Sequence, residues 1–179
     1  MIAEIFLSRS RYWLTKEYPI KIRRCIEAVP DSAIWARSDE GSNSIGNLLV
    51  HLAGNVTEWI VGGVGGKTYE RHRSAEFAQK EGQNGYALLD NLERVLRDAD
   101  SVLAGLTEAD LARSIMIQNR DTNVLGAIYH VVEHFAMHTG QIILLAKAHA
   151  PGKIQFYEDA GGLAQPVWHK GTALDEAPH

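Results

Sequence analysis

The sequence predicts an all-α protein built as a four-helix bundle, and three observations carry that expectation. Apolar residues recur at helical spacing over four long stretches, strand-like alternation is nearly absent, and polar or glycine- and proline-containing segments separate the stretches. With 179 residues the chain is long enough for one domain with a real core and short for two. Its apolar content of 45% and charged content of 22% are those of an ordinary globular protein. Packing helix on helix is the simplest way to bury four such stripes.

The elements follow in order. Ile2, Ile5, Phe6, Tyr12 and Trp13, then Ile22, Cys25, Ile26 and Val29, predict a first helix over about residues 3–29. Pro19 should kink or break it, because proline lacks the backbone donor and clashes with the preceding turn. Val29-Pro30-Asp31 ends it, and a polar loop runs from Arg37 to Asn43. Ser44 is a good N-cap for a second helix carrying Ile45, Leu48, Leu49, Leu52, Val56, Trp59 and Ile60. Gly62-Gly63-Val64-Gly65-Gly66-Lys67-Thr68 terminates it. That run lacks the P-loop spacing, since Gly62 leaves three residues before the Gly-Lys pair where four are needed, and no strand precedes it. Tyr69 to Gly85 reads as a polar surface excursion whose Arg71, His72, Arg73 and Glu76 either close over a site or are solvated.

A third helix is expected over about Tyr86 to Leu103, with Leu88, Leu89, Leu92, Val95, Leu96, Val102 and Leu103 buried. Thr107-Glu108-Ala109-Asp110 looks like a capped short turn, and Ile115-Met116-Ile117 like a brief extended piece. Asp121 or Thr122 should cap the fourth helix, over about Asn123 to His149, which Pro151-Gly152 ends. The expected organisation is a helical domain over residues 1–150 and an irregular tail over 151–179, with Gly161-Gly162, Pro166 and Pro178 in it.

Composition narrows the function classes. The net charge of −4 and pI near 6.0 argue against a nucleic-acid partner, and Lys21, Arg23 and Arg24 read as a solvated helix face. The single cysteine, Cys25, excludes an internal disulfide and suits a reducing cytosol. It is either a catalytic thiol or a small core residue, and its helical setting favours the core. No signal peptide or transmembrane stretch is expected: Met1 to Arg11 contains Glu4 and no long apolar run. The expected location is cytoplasmic.

The chemistry-bearing feature is a histidine row, His130, His134 and His138, on the fourth helix, with His51 far upstream. Residues four apart on a helix lie about 40° apart around its axis, so two neutral imidazoles at that spacing can converge on one divalent ion. With His134 at 0°, Val124, Ile128, Val131, Phe135, Ile142 and Leu145 span about 20° to 120°. His138 then falls near 40°, inside that stripe; His134 sits at its edge, and His130 lies outward near −40°. The pair that looks inward is His134 with His138. His51 occupies a similar edge position, about 100° from the apolar centre of its own helix. A rival motif, His130-Val131-Val132-Glu133-His134, matches the H-x-x-E-H pattern of inverzincin metalloproteases. It puts its would-be base, Glu133, near −100° and away from the core, and the only downstream glutamates for a further ligand are Glu158 and Glu176, in the irregular tail.

The segments Ser44-Ile45-Gly46-Asn47-Leu48-Leu49-Val50-His51-Leu52-Ala53-Gly54-Asn55 and His134-Phe135-Ala136-Met137-His138-Thr139-Gly140-Gln141-Ile142 resemble the DinB/YfiT-like superfamily, and the resemblance covers most of residues 1–150. Arg73-Ser74-Ala75-Glu76-Phe77 also resembles a short segment that some relatives carry. The resemblance implies a four-helix bundle with one non-adjacent connection, often a homodimer, and a divalent metal, zinc or nickel foremost, held by His51, His134 and His138. Relatives include transferases and isomerases that use low-molecular-weight thiols. The implied function is therefore activation of a metal-bound water or thiol against a small electrophilic substrate. Asn55 and Gln141 are candidates either to orient a ligand or substrate or, more simply, to make helix-packing hydrogen bonds, and His130, which the family pattern does not require, is read as an exposed or supporting neighbour. The competing expectations are a metal- or ligand-binding bundle without turnover, the metalloprotease, and a purely structural dimer.

Overall fold

The computed structural model describes residues 2–170. Glu176 and Pro178 lie outside the described residues. The first helix is three continuous segments: α1 (Ile2–Tyr12), a π-helical stretch (Trp13–Glu17) and α2 (Tyr18–Ala28). Pro19 sits in the first turn of α2. In a regular α-ladder its ring would press on the carbonyl of Thr15, and the wider π turn makes that room. The expected kink is thus a widened turn. A 3₁₀ turn (Asp31–Ala33) follows.

α3 (Ile45–Val56) begins at Ser44, whose hydroxyl accepts from the Asn47 amide while the Asn47 side chain accepts from the Ser44 amide. This reciprocal pair satisfies two of the orphan donors at the helix start. The helix runs on as a second π-helical stretch, Thr57–Val64, and ends among the glycines. The polar excursion contains α4 (Arg73–Ala78) and is not simply solvated. Asn47 Nδ2 donates to the carbonyls of Glu76 and Gln79, both at 2.8 Å, and Arg37 donates to those of Phe77 and Gln79. Those bonds strap the segment onto α3.

α5 (Gly85–Ala104) is capped by Asn84, and α6 (Glu108–Leu111) by Thr107 with Asp110. β1 (Ser114–Ile117) pairs antiparallel with β2 (Arg120–Asn123) around Gln118 and Asn119, both at positive φ. α7 (Val124–His149) is capped by Asn123, which accepts from the Gly126 amide at 2.8 Å. The expected caps, Asp121 and Thr122, are instead spent as strand residues in β2. Among the described residues, the tail expected to be irregular carries a β-hairpin. β3 (Tyr157–Ala160) pairs with β4 (Leu163–Pro166) across Gly161 and Gly162, at φ 67° and 86°, the left-handed pair that a tight hairpin turn requires.

α3 packs against α5 and α7, and α2 packs against α7 and α5. The first helix therefore lies diagonal to the second, and residues 29–44 cross between them as the non-adjacent connection. Ile22, Leu48, Leu52, Ile60, Leu89, Leu92, Val131, Phe135 and Ile142 fill the centre, and Phe135 stacks on Tyr18 at 5.4 Å. Cys25 is wholly buried among them, and burial pushes its thiol up to about 12, which removes the catalytic-thiol reading. Among the described residues no helix is long and apolar enough to cross a membrane.

Candidate metal centre

The bundle brings together the three histidines that the resemblance singled out. His51, in the middle of α3, is buried; His138 on α7 is buried, and His134, one turn earlier, is half-buried. The apolar stripe of each helix sets this, because an edge position on α3 meets an edge position on α7 where the two pack. His134 Nε2 lies 3.1 Å from His51 Nε2 and 3.1 Å from His138 Nε2. One ligand atom from each histidine lies within 4.8 Å of the other two, and among the described residues these are the one such group of metal-capable side chains.

The outer nitrogens decide what the inner ones carry. His51 Nδ1 faces two partners, Glu76 Oε2 at 2.7 Å and Arg71 Nη2 at 3.2 Å; the carboxylate only accepts and stands nearer, so Nδ1 carries the proton and gives it to Glu76. His138 Nδ1 donates in the same way to Gln141 Oε1 at 2.7 Å. In the neutral rings both Nε2 atoms therefore present bare lone pairs to His134. His134 Nε2 has one in-plane lone pair or one N–H, so it can make one hydrogen bond, yet two nitrogens stand at 3.1 Å. Its Nδ1 is buried with no hydrogen-bond partner. Internal hydrogen bonding leaves this cluster unsatisfied whichever tautomer is drawn, whereas a cation would satisfy all three Nε2 atoms. At metal–nitrogen distances of about 2.0–2.1 Å, ligand nitrogens stand about 2.9 Å apart at right angles and about 3.4 Å apart in a tetrahedron, a range that brackets 3.1 Å. The donor set thus fits a divalent ion.

Electrostatics favour the metal-ready form. Burial, reinforced by the neighbouring His138 and His51, pushes His134 down to about 3. Burial also lowers His138, against the opposing bond to Gln141. Burial would raise Glu76, but hydrogen bonds from Arg71 and His51 outweigh it and hold the carboxyl below its usual range. Burial would lower Arg71, and its bonds to Glu76 and Glu58 prevail and raise it. Phe77 covers His51, ring centres 4.6 Å apart, and the Arg73 guanidinium lies 5.0 Å above Phe77.

The other candidates separate. Gln141 holds His138. Asn55 is buried one turn beyond His51, and its Oδ1 has no hydrogen-bond partner. His130 stays out of the cluster: its ring lies 4.1 Å from that of Trp59, and burial lowers it. Glu133 is exposed, so the His130–Glu133–His134 protease arrangement is not formed. Of the four residues that the sequence offers as closing over a site or solvated, Arg71 and Glu76 turn inward, and Glu76 reaches His51. Its one signal was the resemblance of residues 73–77, because a polar excursion has no periodicity from which an inward carboxylate can be read.

Comparison with known proteins agrees with this architecture. A DinB-like protein from Bacillus cereus superposes with a TM-score of 0.63 at 16% identity, over 83% of this chain and 95% of that one. A histidine-to-alanine mutant of the mycothiol-dependent maleylpyruvate isomerase superposes with a TM-score of 0.58 at 16% identity, over 79% of this chain and 68% of that one. At such identity the likeness establishes the fold, which is DinB-like. No curated protein matches in sequence. The model of the family described as "Protein of unknown function (DUF1572)" matches residues 2–156, and the chain belongs to that family.

Proposed function

We propose that this protein is a metal-dependent enzyme that activates a small nucleophile, water or a low-molecular-weight thiol, for attack on a small electrophilic substrate. The observation that carries the reading is the convergence of three imidazole nitrogens from two helices, with two Nε2–Nε2 separations of 3.1 Å that hydrogen bonding leaves unsatisfied. A divalent ion held there, zinc or nickel, would supply Lewis acidity and lower the pKa of a coordinated nucleophile. Three protein ligands leave coordination positions open, as a reactive centre requires and a structural one does not.

The chain's own residues do the rest. Glu76 and Gln141 fix the ring orientations of His51 and His138, Phe77 shields His51 from water, and Asn55 Oδ1 is a free acceptor one turn from His51. The thiol part of the reading is supported by the fold shared with a mycothiol-dependent isomerase. We place the working form in the cytosol as a homodimer, which sedimentation of untagged protein would check. The functional test is turnover of electrophiles by metal-loaded protein with and without low-molecular-weight thiols. The expected result is metal-dependent loss of electrophile that a chelator abolishes. Metal-loaded protein inert across thiols and electrophiles would leave a metal-binding bundle without turnover in its place.

A further inference from the structure

We propose that Glu76, Arg71 and Glu58 form a positioning relay that fixes His51 and sets the metal affinity of the centre. The proposal rests on the metal reading above. Arg71 grips the Glu76 carboxylate with two bonds, Nε to Oε1 at 2.6 Å and Nη2 to Oε2 at 2.8 Å, while Glu76 Oε2 also accepts from His51 Nδ1. The remaining arm of the guanidinium, Nη1, donates to Glu58 Oε2 at 2.6 Å. Gln118, in the positive-φ turn between β1 and β2, donates to that same Glu58 oxygen at 2.6 Å. One unbroken path of charge-assisted hydrogen bonds thus runs from a hairpin turn to a candidate metal ligand.

Three features mark this path as serving His51 rather than only docking the strap. The strap is already fastened to the rest of the fold by the side chains of Asn47 and Arg37, which donate to its backbone carbonyls, so docking does not call for a second acid on Arg71. The three side chains are nearly dry, with exposures of 6% for Arg71, 8% for Glu76 and 13% for Glu58, which makes burying the charges costly unless each is matched. The helix beneath is also shaped for it. His51, Gly54 and Glu58 fall at i, i+3 and i+7 on one face, and a Cβ at Gly54 would collide with the Glu76 carboxylate and the Arg71 guanidinium. Glycine at that position leaves the space the relay occupies.

The relay makes the three histidines unequal donors. His51 has a carboxylate behind it, His138 a neutral amide, and His134 Nδ1 no partner. A carboxylate on the outer nitrogen fixes the tautomer and raises the basicity of the inner one, and losing it costs about 10–100-fold in metal affinity. The test uses full-length, chelator-stripped protein, with Zn²⁺ affinity read by competition against a chromophoric chelator and the visible spectrum of the Co²⁺ form as a second readout. Glu76→Ala is expected to weaken Zn²⁺ binding about 10–100-fold and to shift the Co²⁺ bands. Glu76→Gln, which keeps an acceptor but loses the charge, and Glu58→Gln, one step further out, should weaken binding by progressively less, with circular dichroism unchanged. Gly54→Ala should behave like Glu76→Ala. If Glu76→Ala fails to fold, the two glutamine variants carry the test. Wild-type affinity and an unshifted Co²⁺ spectrum in the folded Glu76 variants would overturn the relay. Wild-type protein that takes up neither ion would overturn the metal reading itself.

Discussion

Two buried clusters, each a histidine, a glutamate and a cation, help hold this fold, and their histidines face different surroundings. In one, His51 meets Glu76 at 2.7 Å and Glu76 meets Arg71 at 2.6 Å. In the other, His169 meets Glu17 at 3.0 Å and Glu17 meets Lys21 at 2.8 Å. Burial works against the charge on both carboxylates, and the bonds from the cation and the histidine outweigh it, so both sit below the usual carboxylate range. The second cluster joins the tail to the first helix: Lys21 lies 4.0 Å over the Trp168 ring and Arg24 bonds the Trp168 carbonyl. In the first cluster the other nitrogen of His51 reaches a second imidazole at 3.1 Å, while His169 belongs to no group of three metal-capable side chains among the described residues. A buried histidine–glutamate pair is therefore a clamp by default. It is a candidate for a metal centre where the opposite ring nitrogen converges with further donors, as at His51.

The tail clamp can be cut without touching the histidine group. Glu17→Ala leaves Lys21 and His169 buried without their acid and should destabilise the fold by about 3 kcal/mol, read by chemical denaturation, while metal affinity stays at the wild-type level. Loss of metal in that variant would mean the two clusters are one system.

The two clusters share one pH window, and the histidine group adds a second. Glu17 and Glu76 have folded values below their unfolded value of 4.5, so their contribution is complete above pH 4.5 and is lost as pH falls through the folded values. His134 is neutral in the fold down to about 3 but takes up a proton near 6.5 when unfolded. Between those values the unfolded chain binds more protons, and stability of the metal-free protein must fall as the pH drops from 6.5. Thermal melts across pH should show Glu17→Gln flattening the slope below pH 4.5 alone, and His134→Gln flattening the part that begins near 6.5. A Glu17→Gln effect confined to the upper window would contradict the assignment.

Much of this was legible in the sequence, for reasons that also explain the gaps. The helices showed because their apolar periodicity is long and clean, and the inward pair His134 and His138 followed from the same wheel that turned His130 outward. His51 was marked by an edge position and a resemblance, and only the packing of α3 on α7 brings it to the pair. The π-helical stretches have no pattern of their own; Pro19 announces the first one only as a disturbance. Glu76 was hidden because Glu70, His72 and Arg73 around it are solvated, and nothing local distinguishes the one acid that turns inward. The tail hairpin did have a signal, Gly161-Gly162, but its strand residues, exposed except for half-buried Pro166, lack the alternation that marks a strand.

The smallest expected effect belongs to the histidine that stands aside. His130→Ala removes a ring packed on Trp59 and should cost about 1 kcal/mol of stability, with metal binding intact.

Elemental analysis of untagged protein, reloaded with zinc or nickel and freed of excess ion, decides whether His51, His134 and His138 together hold a metal. Wild-type and His130→Ala protein should retain one ion per chain, and the single variants His51→Ala, His134→Ala and His138→Ala should retain none. Full metal content in any one of those three, or none in the wild type, would contradict it.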